Sequence, residues 1–392
     1  MAWFPSSVDS DDSGWHFDVL ILLAVIGGSA IAQHIPAITA SSFSILPRLM
    51  PAPETFLETD RKKRMPGKGN VKVVGVNSGT LTSELNYFAN LIHDVDSLQP
   101  YEFKVYDVKL RGTSDVENNH IQGIRGIRVK HLSWSNAATV FSVLITIGLF
   151  IAAGVVHDGV ALLALSLMAL SSSAASTSAW WTPKLSTRTA KCNVPQADLV
   201  IITRGCAMVV VKCDETVSRE LYVGMDVCDF SFTEHWHHLL LCISTLLLMV
   251  SVVLFNNCRW QMQVAIGAAY FLLNIQYWLV ALLVDPKSMW DLSRYDIREV
   301  MTAPGDNFTK TLWLAIQHTG SVKWAEHAAV IPQSEKWKEW QEKAENQVTN
   351  FPAWDAVGEK DRLFNGANAK VDPREESSSD AEKIEDPIPI VS

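Results

Sequence analysis

The stretch FTEHWHHLLLCISTLLLMVSVVLF occupies Phe232–Phe255, and its reading decides the fold. From Trp236 to Phe255 it holds no Asp, Glu, Lys or Arg. A helix needs roughly 20 apolar residues to cross a bilayer, and this run is of that length. Three more runs repeat it: Ala137–Val156, Gly159–Ala179 and Met262–Val284. Only His157 and Asp158 separate the first pair, and Asn256–Gln261 the second, so two helical hairpins are predicted. A further run, Phe17–Ile38, has an apolar centre but ends on Gln33, His34 and Pro36; it reads as an N-terminal anchor. Trp and Tyr near most run ends fit the headgroup level of a membrane.

Composition points the same way. The chain is 48% hydrophobic and only 19% charged, below the roughly 25% charged share of soluble domains. Its net charge of −9 collects at the two ends, leaving the body near neutral. No basic field suggests nucleic acid. The six cysteines form no C-x-x-C pair, which argues against a disulfide framework or a zinc knuckle and for thiols in a reducing compartment.

Lys and Arg near span ends set orientation. With the N-terminus outside, eleven such residues, Arg48 among them, fall on the cytosolic side and only Arg259 on the other. The rival is a signal peptide cleaved after Ala30-Ile31-Ala32, leaving four spans. The first 17 residues hold Asp9, Asp11 and Asp12 but no base, whereas a signal peptide starts with positive charge. The expected fold class is therefore an α-helical multi-pass membrane protein of about five transmembrane helices, with a small cytosolic α+β module and a helical C-terminal region. The expected order is an acidic outer tail (1–16), a span (17–38), a cytosolic α+β segment (39–136), spans 137–156 and 159–179, and a cytosolic hairpin plus helix (180–235). Spans 236–255 and 262–284, cytosolic Trp-rich helices (285–357) and a disordered acidic tail (358–392) follow.

Within these segments, Val71–Val76 and Phe103–Leu110 read as strands, while Leu81, Leu85, Phe88, Ile92 and Val95 recur at helical spacing. DLVIITRGCAMVVVKC (Asp198–Cys213) reads as a hairpin around Arg204-Gly205, and its strands are expected to join those of the earlier segment in one sheet. Asp214 is placed to cap a helix closed by Gly224, and Asp306 one stopped by Gly320. Trp337, Trp340, Ala344 and Val348 mark one face of a last helix, with Glu339 and Lys343 in the favourable order.

Residues with chemistry are few. Glu234, His235, His237 and His238 have metal-ligand spacing on a helix, but the cluster stands alone at a helix entrance, where His and Trp anchor to headgroups. The interfacial reading is preferred and the metal reading is the alternative. Asn274 and Gln276 lie mid-span, and Asn274 is expected to bond a neighbouring helix. Ser171 with Ala175, and Ala174 with Ser178, are small pairs that let helices approach. No Asp, Glu, Lys or Arg lies within the last four spans, which counts against ion coupling. Asn307-Phe308-Thr309 is a glycosylation sequon, expected to stay bare in the cytosol. No nucleophile, phosphate-loop or kinase motif occurs, and no cofactor is expected.

TRGCAMVVVKCDETVSRELYVG before a membrane hairpin, WDLSRYDI after it and WAEHAAVIPQSEKWKEW resemble a group of uncharacterised multi-pass membrane proteins of filamentous ascomycete fungi, over residues 180 to 345. The resemblance implies a fungal multi-pass membrane protein, with an expected tie to specialised metabolism, and carries no catalytic residue. The expected function is a non-enzymatic membrane scaffold or accessory protein. Its expected partners are the bilayer, a cytosolic protein and a second copy of the chain. The alternatives are an oligomeric transporter or channel subunit and, more distantly, a metal-dependent membrane enzyme.

Overall fold

The computed structural model describes residues 35–50, 61–111, 126–187, 194–348 and 354–365. It combines helices and sheet. Among the described residues four helices are long and apolar enough to cross a membrane: α3 (Trp134–Val156), α4 (Gly159–Ser178), α5 (Glu234–Asn256) and α6 (Trp260–Leu283). Their order α3–α4 and α5–α6 makes two antiparallel hairpins. Both hairpin tips meet at one end, where the Asp158 carboxylate accepts from Arg259 N at 2.8 Å and Arg259 donates to Val156 O at 2.6 Å. The N-terminal anchor, up to residue 34, lies outside the described residues. Its last positions open a short helix, α1 (Ile35–Ala40).

The other end of the bundle carries a six-stranded sheet in the order β10-β3-β7-β6-β1-β2. The strands are β1 (Lys68–Gly75), β2 (Leu81–Leu85), β3 (Phe103–Leu110), β6 (Leu199–Thr203), β7 (Met208–Cys213) and β10 (Tyr295–Ala303). Pairing is antiparallel except between β3 and β7. That parallel pair needs a long crossover, and the chain supplies it by running through the α3–α4 hairpin. Three segments separated by membrane hairpins thus share one sheet, as the strand patterns led us to expect for the first two.

Continuous apolar runs in β6 and β7 signal a sheet covered on both faces. On the membrane side, Val209, Val211 and Ile201 meet Phe88 and Ile92 of α2 (Tyr87–His93), together with Trp290 and the end of α6. On the far side, Val200, Met208 and Val210 meet α7 (Phe308–Thr319), α8 (Glu335–Gln347) and α9 (Ala356–Asn365). Trp324 and Trp340 are fully buried there, and Trp340 donates to Ala356 O at 2.9 Å. The Trp stripe is therefore core. Trp134, Trp236 and Trp260 stay exposed at helix starts, whereas Trp181 and Trp290 are buried in the junction between bundle and sheet.

Several expectations are corrected. Leu81–Leu85 is a strand, because the turn at Asn77–Thr80, with Gly79 at φ +65°, folds the chain back onto β1 before any helix can start. The helix is confined to α2. Asn307, not Asp306, caps α7, accepting from Lys310 N at 2.8 Å. Asp214 begins a single α-turn (Glu215–Val217) that widens into a π-turn (Ser218–Val223). Gly224 ends it with φ −74°, so its reason is space: an added Cβ would collide with Arg219 O. Residues 285–357 also supply the edge strand β10, and Gly358 lies inside α9 rather than at the start of a disordered tail.

If Trp340 is core, Trp340→Ala should destabilise the module by about 3–5 kcal/mol. Trp340→Phe, which keeps most of the volume, should cost clearly less. Calorimetry of the purified protein tests this; an unchanged alanine variant would return the stripe to an external docking role.

Candidate functional site

The polar atoms of the membrane region gather along α3. Ser133 caps this helix by accepting from Asn136 N. Ser135, Thr139, Ser142 and Thr146 then recur at helical spacing and are all buried. Thr139, Ser142 and Thr146 each donate to the carbonyl four residues back, at 3.0, 2.9 and 2.7 Å. Such back-bonds let hydroxyls survive away from water. The opposite face, with Phe141, Leu144, Ile147, Ile151 and Val155, is exposed. A helix that is polar inward and apolar outward suits lipid, and its inner stripe requires something polar to face.

It faces residues 41–50. Ser41 donates to Asn136 Oδ1 at 2.7 Å, a 3-10 turn follows (Ser42–Ile45), and Ser173 donates to Ile45 O at 2.6 Å. Ser172 donates to Arg48 O at 2.7 Å, and Leu49 N donates to Thr146 Oγ1 at 2.8 Å. Thr146 is the thirteenth of the 23 residues of α3. At 1.5 Å per residue, Leu49 therefore sits roughly 18 Å along that helix, near the middle of a bilayer core. The segment is re-entrant. It was expected within a cytosolic stretch starting at residue 39, and the structure places it inside the bundle. Irregular backbone at that depth must find every partner in protein; Ser172, Ser173 and Thr146 are those partners.

Ser171 has a different task. It and Ser244 of α5 each donate to the other's carbonyl, at 2.8 and 2.9 Å, and Ser251 donates to Ala164 O at 2.9 Å. Small buried residues here let α4 and α5 pack closely, as the Ser171/Ala175 spacing implied. Ala174, by contrast, is only half-buried.

Arg48 is fully buried. Its Nη1 donates to Ser44 O at 2.8 Å and contacts Phe43 O at 3.4 Å. Among the described residues its Nε and Nη2 have no hydrogen-bond partner, nor do Ser44 Oγ and Ser176 Oγ. Two adjacent guanidinium donors make the fork that matches a carboxylate or phosphate. The sequence placed Arg48 on a cytosolic flank; it is instead an ionisable residue at membrane depth.

The predicted site residues are not brought together. His237 is buried while Glu234, His235 and His238 are exposed, so the four do not converge. Among the described residues no group of three His, Cys, Asp or Glu side chains could hold a metal ion. Asn274 donates to Tyr270 O of its own helix at 2.7 Å, and among the described residues the buried side-chain oxygens of Asn274 and Gln276 have no partner. Asn307 is half-buried, and its sequon partner Thr309 is buried.

A second polar cluster lies between sheet and membrane. His93 Nε2 and Tyr222 OH share a hydrogen bond of 2.7 Å. Glu220 accepts from Arg294 and from Tyr295 OH, both at 2.8 Å. Comparison with known proteins finds no matching family profile, no similar curated protein and no matching solved structure.

Burial, helped by Lys287 and Lys104, pushes the His93 imidazole down to about 3, so it stays neutral. The unfolded chain binds this proton below its ordinary value of 6.5. Stability should therefore fall as pH drops from there towards 3, by about 1.4 kcal/mol per pH unit for this one group. Thermal unfolding against pH should show that contribution lost in His93→Gln. An identical slope in the variant would remove His93 as its source.

Proposed function

We propose that the protein is a non-enzymatic membrane scaffold or accessory protein. Its α+β module lies in the cytosol and presents a rigid platform to a protein partner. The observation that carries this reading is the shared sheet: every described strand-bearing segment of it joins one body at one end of the bundle. That body is fastened to the helices. Arg61 donates to Ser178 O at the end of α4 and to Phe232 O before α5, both at 2.5 Å, with its guanidinium over the Phe230 ring. Trp181 donates to Thr39 at 2.9 Å. A platform so tied transmits position from membrane to partner. The cytosolic side follows from the basic bias of the span flanks, ten to one once Arg48 is set aside.

A second reading, a small-molecule transporter or channel subunit, is favoured by one observation: Arg48, buried at mid-depth with an open fork. Intramembrane ionisable residues mark solute paths in many membrane proteins.

Two measurements separate these readings. In sealed microsomes, a C-terminal tag should be digested by external protease, and Asn307 should carry no glycan. A protected tag, with a glycosidase-sensitive shift lost in Asn307→Gln, would put the module in the lumen. In proteoliposomes the scaffold reading expects no solute flux. Flux abolished by Arg48→Lys, which keeps the charge and removes the fork, would establish the second reading instead.

A further inference from the structure

Beside the re-entrant segment, on the lipid side of α3, runs a groove of about 690 Å³. Phe43 forms one wall; Ala137, Val140, Phe141 and Leu144 form the other. Its upper end is polar, with His131, Ser133 and Asn136. From Ser133 to Leu144 the helix rises about 16 Å, close to half of the ~30 Å hydrocarbon core. The groove is thus one leaflet long, polar at the headgroup level and apolar below.

Its frame is built rather than incidental. Asn136 is buried and donates to Lys130 O and His131 O at 3.1 and 3.0 Å while accepting from Ser41. One side chain thereby fixes both the loop above the groove and the segment that carries Phe43. Arg48 holds the turn of Phe43 through the Ser44 carbonyl. His131 lines the mouth, and the chain that leads into it carries Arg128 and Lys130; all three are exposed, and the Lys130 carbonyl is held by Asn136 of the groove wall. The acidic neighbour is Asp291, paired with Arg128 across two short strands, β4 (Arg128–Val129) and β9 (Trp290–Asp291). Asp291 also feels Lys130, so among these described residues two bases face one acid, a net charge of +1. Basic pockets at this level of a membrane protein suit anionic headgroups.

We propose that this groove binds an anionic phospholipid from the leaflet on the module's side. One acyl chain lies along Ala137–Leu144 against Phe43, and the phosphate sits beneath Arg128 and Lys130. The proposal depends on neither the scaffold nor the transport reading.

The test uses the full-length protein in mixed micelles and native mass spectrometry. Dioleoyl phosphatidylserine and dioleoyl phosphatidylcholine, which share their chains, are titrated separately. Retention of the serine lipid should exceed that of the choline lipid by about fivefold or more, each basic side chain near the headgroup contributing on that order. The double variant Arg128→Gln/Lys130→Gln, at exposed positions, should bring the ratio close to one. Ala137→Phe, which fills the groove, should lower retention of both lipids while leaving the melting temperature unchanged. Equal retention of the two lipids by the unaltered protein would overturn the proposal. So would a preference that survives the double variant, or retention undiminished by Ala137→Phe in a folded protein.

Discussion

A peptide group in hydrocarbon must find its hydrogen bond within the protein, at a cost of several kcal/mol if it fails. The bundle is arranged around that constraint. Residues 41–50 leave helical geometry at membrane depth; Thr146, Ser172 and Ser173 meet their amides and carbonyls, and Asn136 accepts from the Ser41 hydroxyl. The same demand explains why α3 turns its hydroxyls inward, and why the last two turns of α4, Ser171–Ser178, are Ser, Ala and Thr with no Leu. One serine face of α4 serves the re-entrant backbone; another, through Ser171, serves α5. Remove the re-entrant segment, and the inner stripe of α3 becomes an orphaned polar surface.

A second consequence lies outside the bundle. The parallel β3–β7 pair can form only after the chain has passed through the α3–α4 hairpin, and β10 can close the edge only after α5 and α6. The sheet therefore depends on both hairpins being in place. It in turn holds their open ends together, through Arg61 and through Trp290, whose ring meets Phe88 edge-on at 5.1 Å. The bundle and the sheet each have a core, and the two meet where Val280 and Val284, at and just past the end of α6, pack against the membrane-side layer of the sheet.

The parts legible in the sequence were those with a long or sharp period. The four described apolar helices announced themselves by length, and the β6–β7 hairpin by β-branched runs around Arg204-Gly205. Local rules misled where a short turn outranked a spacing, as at Gly79, or where an edge strand alternated without a strong apolar face, as in Tyr295–Ala303. The re-entrant segment was illegible for a physical reason. It needs only about ten residues to reach mid-depth, below the length that hydropathy registers, and its polarity is neutralised by partners 95 to 128 positions away. Arg48 was accordingly counted as a surface charge. The Glu234–His238 cluster had the reverse history: its spacing suggested a site, but helix geometry sends His237 inward and the others outward.

The buried network beneath the sheet shows how the module uses charge. Glu220 is almost wholly enclosed, and burying it is justified only because Arg294 and Tyr295 complete its hydrogen bonds. A buried pair of this kind adds little net stability but penalises every alternative arrangement that leaves one partner bare. Its partners matter here. Glu220 sits in the π-turn that precedes α5, whereas Arg294 and Tyr295 stand at the start of β10, just after α6. The interaction thus ties the entry and exit of one membrane hairpin to each other. Within the π-turn Glu220, Leu221 and Tyr222 are buried in succession, Glu220 bonded to the start of β10 and Leu221 and Tyr222 packed in the layer beneath the sheet. The widened turn is therefore the device by which a single short segment fixes both the apolar packing and the polar register of the membrane-side layer.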